Sequence, residues 1–75
     1  MQTTLDEYQA FIAVVDAGSI TGAANQLGLT VSAISRSLAR LEEKLGTTLL
    51  RRTTRRLLLT DEGRVLLDRA RGIVD

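Results

Sequence analysis

The chain has 75 residues, of which 44% are hydrophobic and 25% are charged, and it contains no cysteine, histidine or proline. A chain of this length forms one domain with a modest core, and such domains often need a disulfide, a metal or a partner chain for stability. The lack of cysteine and histidine excludes a disulfide framework and the usual zinc ligands, so self-association is the expected support. No apolar run could span a bilayer and the N-terminus does not resemble a signal peptide, so we expect a cytoplasmic protein.

The formal net charge of +1 conceals an uneven distribution of basic residues. Residues 1–30 carry three acids and no base, whereas residues 31–60 carry six arginines and one lysine against two glutamates. Such a concentration of positive charge indicates a surface that binds a polyanion. The alternative is a solvated surface with paired charges, and it is weak for residues 51–56 because no acid lies between Glu43 and Asp61.

The first predicted helix spans residues 4–16. Thr4 and Glu7 have the spacing of a capping box, in which each side chain binds a free backbone N–H at the helix start. Gly18 is predicted to end the helix. Its apolar face, which we expect to lie in the core, consists of Leu5, Tyr8, Phe11, Ile12 and Val15. The two aromatic residues of the chain lie on this face, and we interpret them as core residues rather than as a base-stacking platform.

A second, shorter helix is predicted from about residue 21 to residue 27, with Thr21 as its N-cap. Ala23, Ala24 and Leu27 provide a small, close-packing face. A turn follows at residues 28–29, and Thr30 is predicted to cap a third helix over residues 31–45. Two helices joined by a tight turn are typical of the helix-turn-helix, in which the second helix enters the major groove of DNA.

The third predicted helix has two different faces. We expect a buried stripe that consists of Ile34, Leu38, Leu41 and Leu45. The opposite face consists of Ser32, Ala33, Ser35, Arg36, Ala39 and Arg40. Arg36 could bind a guanine edge or a phosphate, the serines can donate to either, and Val31 and Ala33 offer only apolar contact to a thymine methyl group. Alone, this face could be an ordinary solvated surface, but the turn before it and the hairpin after it favour DNA binding.

A β-hairpin is predicted next, with strands at residues 49–51 and 57–59. Its polar tip consists of Arg51, Arg52, Thr53, Thr54, Arg55 and Arg56. Arginine binds phosphates and narrow minor grooves, and phosphate contacts position a protein whereas base contacts specify sequence. We therefore assign the arginines mainly to positioning, with Arg55 as the candidate for groove insertion. RNA is a less favoured ligand, because modules for single-stranded RNA usually display aromatic residues for stacking.

Thr60 is predicted to cap a fourth helix, and Asp61 and Glu62 then lie at the positive end of its dipole. Its apolar side consists of Val65, Leu66, Ala70, Ile73 and Val74. No stop signal follows, so we expect a fragment of a longer protein. The predicted fold is mainly α with a small β-hairpin: a winged helix-turn-helix over residues 1–60, followed by the start of a further helix over residues 61–75.

An enzyme is not expected from this sequence. There is no histidine, no cysteine and no glycine-rich phosphate-binding loop, and the adjacent acids are explained by helix capping and surface positions. We therefore predict no catalytic residues, no metal site and no cofactor. The alternative to DNA binding is a winged helix that docks on a partner protein without specific DNA readout.

A set of short motifs along most of the chain carries a family resemblance. It consists of Phe11, Val14, Gly18-Ser19-Ile20-Thr21, Ala23-Ala24, Leu27, Ala33-Ile34-Ser35-Arg36, Leu41-Glu42, Leu45-Gly46, Leu49-Leu50, Arg52-Thr53-Thr54-Arg55, Leu59-Thr60 and Gly63. With these motifs the chain resembles the N-terminal DNA-binding domain of LysR-type transcriptional regulators. The resemblance implies a bacterial regulator that binds an interrupted dyad in a promoter, as homodimers that pair into tetramers in the full-length protein.

The resemblance also implies that the fourth helix is a linker helix that dimerises and continues into an effector domain similar to periplasmic binding proteins. A small-molecule effector would bind only to that further domain. The candidate dimerisation residues are Val65, Leu66, Ala70 and Ile73. The candidate DNA-binding residues are Thr21, Thr30, Val31, Ser32, Ala33, Ser35, Arg36, Arg40, Arg51, Arg52, Thr53, Thr54, Arg55 and Arg56.

The sequence departs from the family pattern at three positions. Many members carry glutamine and proline where this chain has Val31 and Ser32, and Val31 lacks the hydrogen-bonding groups with which glutamine reads a base edge. Leu50 stands where phenylalanine is more usual, which is a conservative change in a core position.

Overall fold

The computed structural model of the chain describes residues 5–52 and 57–74. Over these residues the elements are α1 (Leu5–Ala17), α2 (Ile20–Leu27), α3 (Val31–Leu45), β1 (Leu50–Arg52), β2 (Leu57–Leu59) and α4 (Asp61–Val74). Helix α1 packs against α2, α3 and α4, and α2 packs against α3. The predicted class, mainly α with one β-hairpin, is confirmed. In the described part of the chain, no helix is long and apolar enough to cross a membrane.

The core lies between α1, α2 and α3 and extends to the base of the hairpin. Its largest completely buried side chains are Phe11, Val14, Ile34, Leu41 and Leu49. The small side chains of Ala23 and Ala24 are also buried, which lets α2 pack closely. Phe11 is therefore a core residue as predicted, whereas Tyr8 is only partly buried at the margin of the core.

Helix α1 ends where the sequence predicts. Gly18 has a positive φ of 76°, a conformation that glycine adopts without steric cost, and its N–H donates to the Val14 carbonyl at 2.9 Å. Thr4 lies outside the described residues, so the capping box remains a prediction. The carboxylate of Glu7 forms an ion pair with Lys44 of α3 instead of remaining at the surface.

The start of α2 corrects one prediction, because Ser19 and not Thr21 is its N-cap. Ser19 has an extended backbone, and its Oγ accepts a hydrogen bond from the Gly22 N–H at 2.9 Å. Thr21 lies in the first turn of the helix, where its backbone is already helical. Both residue types cap helices well, and the choice depends on where the chain turns after Gly18.

Helix α3 has the predicted bounds and caps. Thr30 Oγ1 accepts a hydrogen bond from the Ala33 N–H at 3.0 Å, and Gly46 ends the helix in the left-handed conformation with φ 66°. Three members of the predicted stripe are buried, but Leu45 is 41% exposed. The prediction for Leu45 is wrong because it is the last residue of α3, where the chain turns away at Gly46.

The hairpin is antiparallel, and Leu50, Arg51 and Arg52 pair with Leu59, Leu58 and Leu57. The predicted first strand began one residue too early. Leu49 precedes β1, and its N–H donates to the side chain of Glu42. The tip at residues 53–56 lies outside the described residues.

Candidate nucleic-acid interface

The polar face of α3 is open to solvent. Val31, Ser32, Arg36 and Arg40 are exposed, and Ala33 and Ser35 are half-buried. Neither guanidinium forms an ion pair or hydrogen bond with another described residue. An arginine that is exposed to solvent and has no carboxylate partner within the domain keeps all its N–H donors available. It can therefore form two hydrogen bonds with an acceptor such as guanine or phosphate. The structure thus brings the predicted helix residues together on one accessible face.

The N-terminus of α3 adds backbone donors to this face. The first N–H groups of a helix have no partner within the helix, and they carry the positive end of its dipole. Thr30 Oγ1 satisfies the N–H of Ala33, and the Thr30 carbonyl accepts from Ile34 at 3.1 Å. The N–H groups of Val31 and Ser32 therefore remain for an anion, and the exposed Thr30 hydroxyl can still donate its own proton.

The described part of the hairpin exposes one of its arginines. Arg51 is exposed and lies opposite Leu58, which is 44% exposed. Leu50, Leu57 and Leu59 are half-buried against the core, as expected for a strand pair with one solvated face. The side chain of Arg52 and residues 53–56 lie outside the described part, so their roles remain predictions. Thr21 is exposed in the first turn of α2, and its role is also a prediction.

The base of the hairpin is held by two side chains that sequence reasoning did not place in the site. The Glu42 Oε2 atom accepts from the Leu49 N–H at 2.7 Å and from the Leu50 N–H at 3.2 Å. Thr60, predicted only as a helix cap, also donates its hydroxyl proton toward the Thr48 carbonyl at 2.7 Å. Thr60 was recognisable from its capping position. Glu42, unlike the adjacent Glu43, belongs to the Leu41-Glu42 motif, but that motif gives no indication of a contact with the hairpin.

The candidate dimerisation residues occupy three different environments. Val65 is 55% exposed, Leu66 is half-buried against the core, and Ala70 is completely buried within the chain. Ala70 has no free surface because α4 packs on α1, so we remove it from the proposed dimerisation surface. The side chain of Ile73 lies outside the described part. An exposed ion pair between Arg71 and Asp16, 2.6 Å apart, also joins α4 to α1.

Comparison with known proteins identifies the family. Residues 5–64 match the family model described as bacterial regulatory helix-turn-helix protein, lysR family. The HTH-type transcriptional regulator CrgA of Neisseria meningitidis is 50% identical over 74 residues, which cover 99% of this chain and 25% of CrgA. PtxR of Pseudomonas aeruginosa is 52% identical over 62 residues, which cover 83% of this chain and 20% of PtxR. The chain thus spans about a quarter of the length of the curated relatives it matches.

Solved structures show the same fold. The CbnR DBD–DNA complex has a TM-score of 0.91 and 37% identity, with 95% of this chain and 82% of that chain covered. The BenM DBD complex with catB site 1 DNA has a TM-score of 0.91 and 35% identity, with coverage of 95% and 80%. The oxidized form of Corynebacterium glutamicum OxyR has a TM-score of 0.96 and 29% identity, with coverage of 100% and 23%. The fold is therefore the winged helix-turn-helix, and the chain belongs to the LysR family of bacterial regulatory helix-turn-helix proteins.

Proposed function

We propose that this chain is the DNA-binding domain of a bacterial transcription regulator that binds duplex DNA sequence-specifically. The observation that carries the proposal is the exposed face of α3, on which Arg36 and Arg40 have no internal partner among the described residues. Two structural relatives, the CbnR and BenM domains, were solved in complex with DNA, and both exceed 30% identity to this chain.

In the proposed complex, α3 lies in the major groove with its N-terminus toward the bases. Arg36 binds a guanine edge through two hydrogen bonds, and Ser32 donates to a base or a phosphate. Val31 and Ala33 contribute apolar contacts, for example to a thymine methyl group. Arg40 lies one helical turn further along and reaches a phosphate, as do the N–H groups at the helix start.

The hairpin forms the wing and contacts the neighbouring backbone and minor groove. Arg51, Arg52, Arg55 and Arg56 neutralise phosphates, and Thr53 and Thr54 add hydroxyl donors. Arg55 is our candidate for insertion into the minor groove, where the narrow, negative surface of A·T-rich DNA attracts arginine. The charge distribution supports this orientation, because residues 31–60 are strongly basic and residues 1–30 carry no base.

The functional unit we propose is a homodimer, which matches the two half-sites of an inverted repeat. The exposed side chain of Val65 and the half-buried side chain of Leu66 are the described candidate contacts on α4. Ile73 remains a candidate, and its side chain lies outside the described part. In the full-length regulator we expect α4 to continue into a linker, the effector domain to bind a small molecule, and dimers to pair into tetramers. Such a regulator acts in the cytoplasm, where the chromosome lies, and it needs no catalytic site.

Selection from a random duplex library at moderate salt, followed by sequencing, tests the proposal. An enriched inverted repeat is the expected result, and it would also identify the operator. Retention of DNA without enrichment would mean that this chain has only electrostatic affinity, and would refute sequence-specific readout by the isolated domain. No retention at all would favour the alternative, in which the winged helix binds a partner protein.

A further inference from the structure

The backbone of one residue, Leu49, connects the helix that carries the proposed DNA-binding face with the start of the wing and with the N-cap of α4. The N–H of Leu49 donates to Glu42 Oε2 of α3 at 2.7 Å. The carbonyl of Leu49 accepts from the Thr60 N–H at 3.0 Å and lies 3.1 Å from Thr60 Oγ1. Leu49 itself is 1% exposed and belongs to the core. Both the N–H and the carbonyl of Leu49, the residue before β1, are thus hydrogen-bonded to other elements.

The carboxylate of Glu42 holds two successive N–H groups at the point where β1 begins. In addition to Leu49, Oε2 accepts from the Leu50 N–H at 3.2 Å. Hydrogen bonds to a charged acceptor are about twice as strong as those between neutral groups. Glu43, the next residue, is exposed and makes no such bond within the described residues. The contact therefore depends on the position of Glu42 on α3 and not on the charge of this segment.

A two-stranded hairpin needs such an anchor. Strands of three residues are short, and an isolated two-stranded hairpin is at best marginally stable in water. The half-buried Leu50, Leu57 and Leu59 attach one face of the hairpin to the core, but apolar contacts are not directional. Hydrogen bonds are directional, so those of Glu42 and Thr60 fix the position and orientation of the hairpin relative to the helices.

We propose that Glu42 is a positioning residue for DNA binding, which sets the wing relative to α3 so that both contact one duplex. The inference rests on the DNA binding proposed above. Arg36 and Arg40 lie on the same helix as Glu42, whereas Arg51 follows directly after the two N–H groups that Glu42 binds. Loss of the anchor leaves the helix face intact and allows the wing to move away from the DNA backbone.

The experiment compares Glu42→Ala with Glu43→Ala, since both variants remove one negative charge from adjacent positions of α3. The Kd for the DNA duplex enriched by selection is measured over a series of salt concentrations; if none is enriched, a random duplex pool is used. We expect Glu42→Ala to bind roughly tenfold more weakly than Glu43→Ala, because two charge-assisted hydrogen bonds are lost. Its plot of log Kd against log salt should be shallower by about one to two ions per subunit, because wing phosphates are no longer neutralised.

A second pair covers the possibility that Glu42→Ala does not fold. Glu42→Gln retains a neutral acceptor, and Glu43→Gln has the same charge change at the exposed position. We expect Glu42→Gln to bind about threefold more weakly than Glu43→Gln, since neutral acceptors form weaker hydrogen bonds. Amide hydrogen exchange adds a local readout, in which Leu49 and Leu50 lose protection in the Glu42 variants while the amides of α1 do not.

The outcomes separate the two claims. A wild type that binds no duplex refutes the proposed function and, with it, the role of Glu42. If the wild type binds and the Glu42 and Glu43 variants have equal Kd and equal salt dependence, the positioning role alone is refuted. If the Glu42 variants lose affinity with an unchanged salt slope, Glu42 acts on overall stability rather than on the wing, which also contradicts the inference.

Discussion

The amine of Lys44 in α3 lies 3.1 Å from both carboxylate oxygens of Glu7 in α1, and the two side chains are only 17% and 6% exposed. This largely buried ion pair joins α1 to the end of α3, the helix that carries the proposed DNA-binding face. Removing the Lys44 amine takes this ion pair away from a carboxylate that is only 6% exposed, and losing one member of a buried pair costs far more than the intact pair contributes.

We therefore expect Lys44→Met to lower the free energy of unfolding by about 3 kcal/mol. Thermal and urea denaturation followed by circular dichroism measure the change. The matched control is Arg71→Met, because the Arg71–Asp16 pair is 42% and 46% exposed and should contribute only about 0–1 kcal/mol. Equal losses for the two variants would show that burial does not govern the contribution of these ion pairs.

Gly63 in α4 should tolerate no larger residue. A Cβ at this position would overlap the carbonyl oxygen of Leu49 and lie 2.8 Å from Leu59 Cδ1. Gly63→Ala is expected to destabilise the domain by about 1–3 kcal/mol, because the backbone of α4 must move away from the hairpin. Gly72 lies in the same helix, and no described atom lies within 4 Å of a Cβ at that position, so Gly72→Ala should be neutral or stabilising. A comparable effect of both substitutions on the denaturation midpoint would contradict the close approach at Gly63.

Arg36 should carry a large share of sequence discrimination. Arg36→Ala is expected to weaken binding to the selected operator by about 1–3 kcal/mol if the guanidinium contacts a base. Arg36→Lys keeps the charge but loses the bidentate fork, so it should recover binding to random duplex and not to the operator. Fluorescence anisotropy with both duplexes measures the two affinities. If Arg36→Ala weakens binding to the operator and to random duplex equally, Arg36 contacts a phosphate and not a base.

Val65 is the best position at which to test the dimer. It is 55% exposed on α4, so Val65→Asp should leave the fold intact and shift the domain toward monomer in analytical ultracentrifugation. Leu66 is less suitable, because it packs against the core and an acid there would also destabilise the monomer. Leu58→Asp places the same charge on an exposed leucine of the hairpin and should leave the association unchanged. A dimer that survives Val65→Asp would place the interface elsewhere.

The elements with local signals were predictable from the sequence. The bounds of α3 follow from Thr30, Gly46 and the spacing of its apolar residues, because capping bonds span only three or four positions. The cap at Thr60 and the end of α1 at Gly18 were predictable for the same reason, since they also depend on hydrogen bonds between residues three or four positions apart. The polar face of α3 was also predictable, since helical periodicity alone separates it from the buried stripe.

The remaining features depend on contacts between distant parts of the chain. Ser19 and Thr21 are both good caps, and only the path of the chain after Gly18 selects Ser19. Ala70 looks like part of an exposed apolar edge until α4 is seen to pack on α1. Glu42 and Glu43 are chemically identical, yet only Glu42 faces the start of the wing.

Local patterns along the chain were enough to predict the helices, the hairpin, the concentration of basic residues in residues 31–60 and the family resemblance. Only the packing of the elements shows that Glu7 and Glu42 make structural contacts, that the hairpin is anchored through Glu42 and Thr60, and that Val65 of α4 is exposed whereas Ala70 is buried. The two kinds of feature differ in range, because helix periodicity and caps act over a few residues, whereas the Glu7–Lys44 contact joins positions 37 residues apart. Such contacts depend on how the helices pack, which no local pattern encodes.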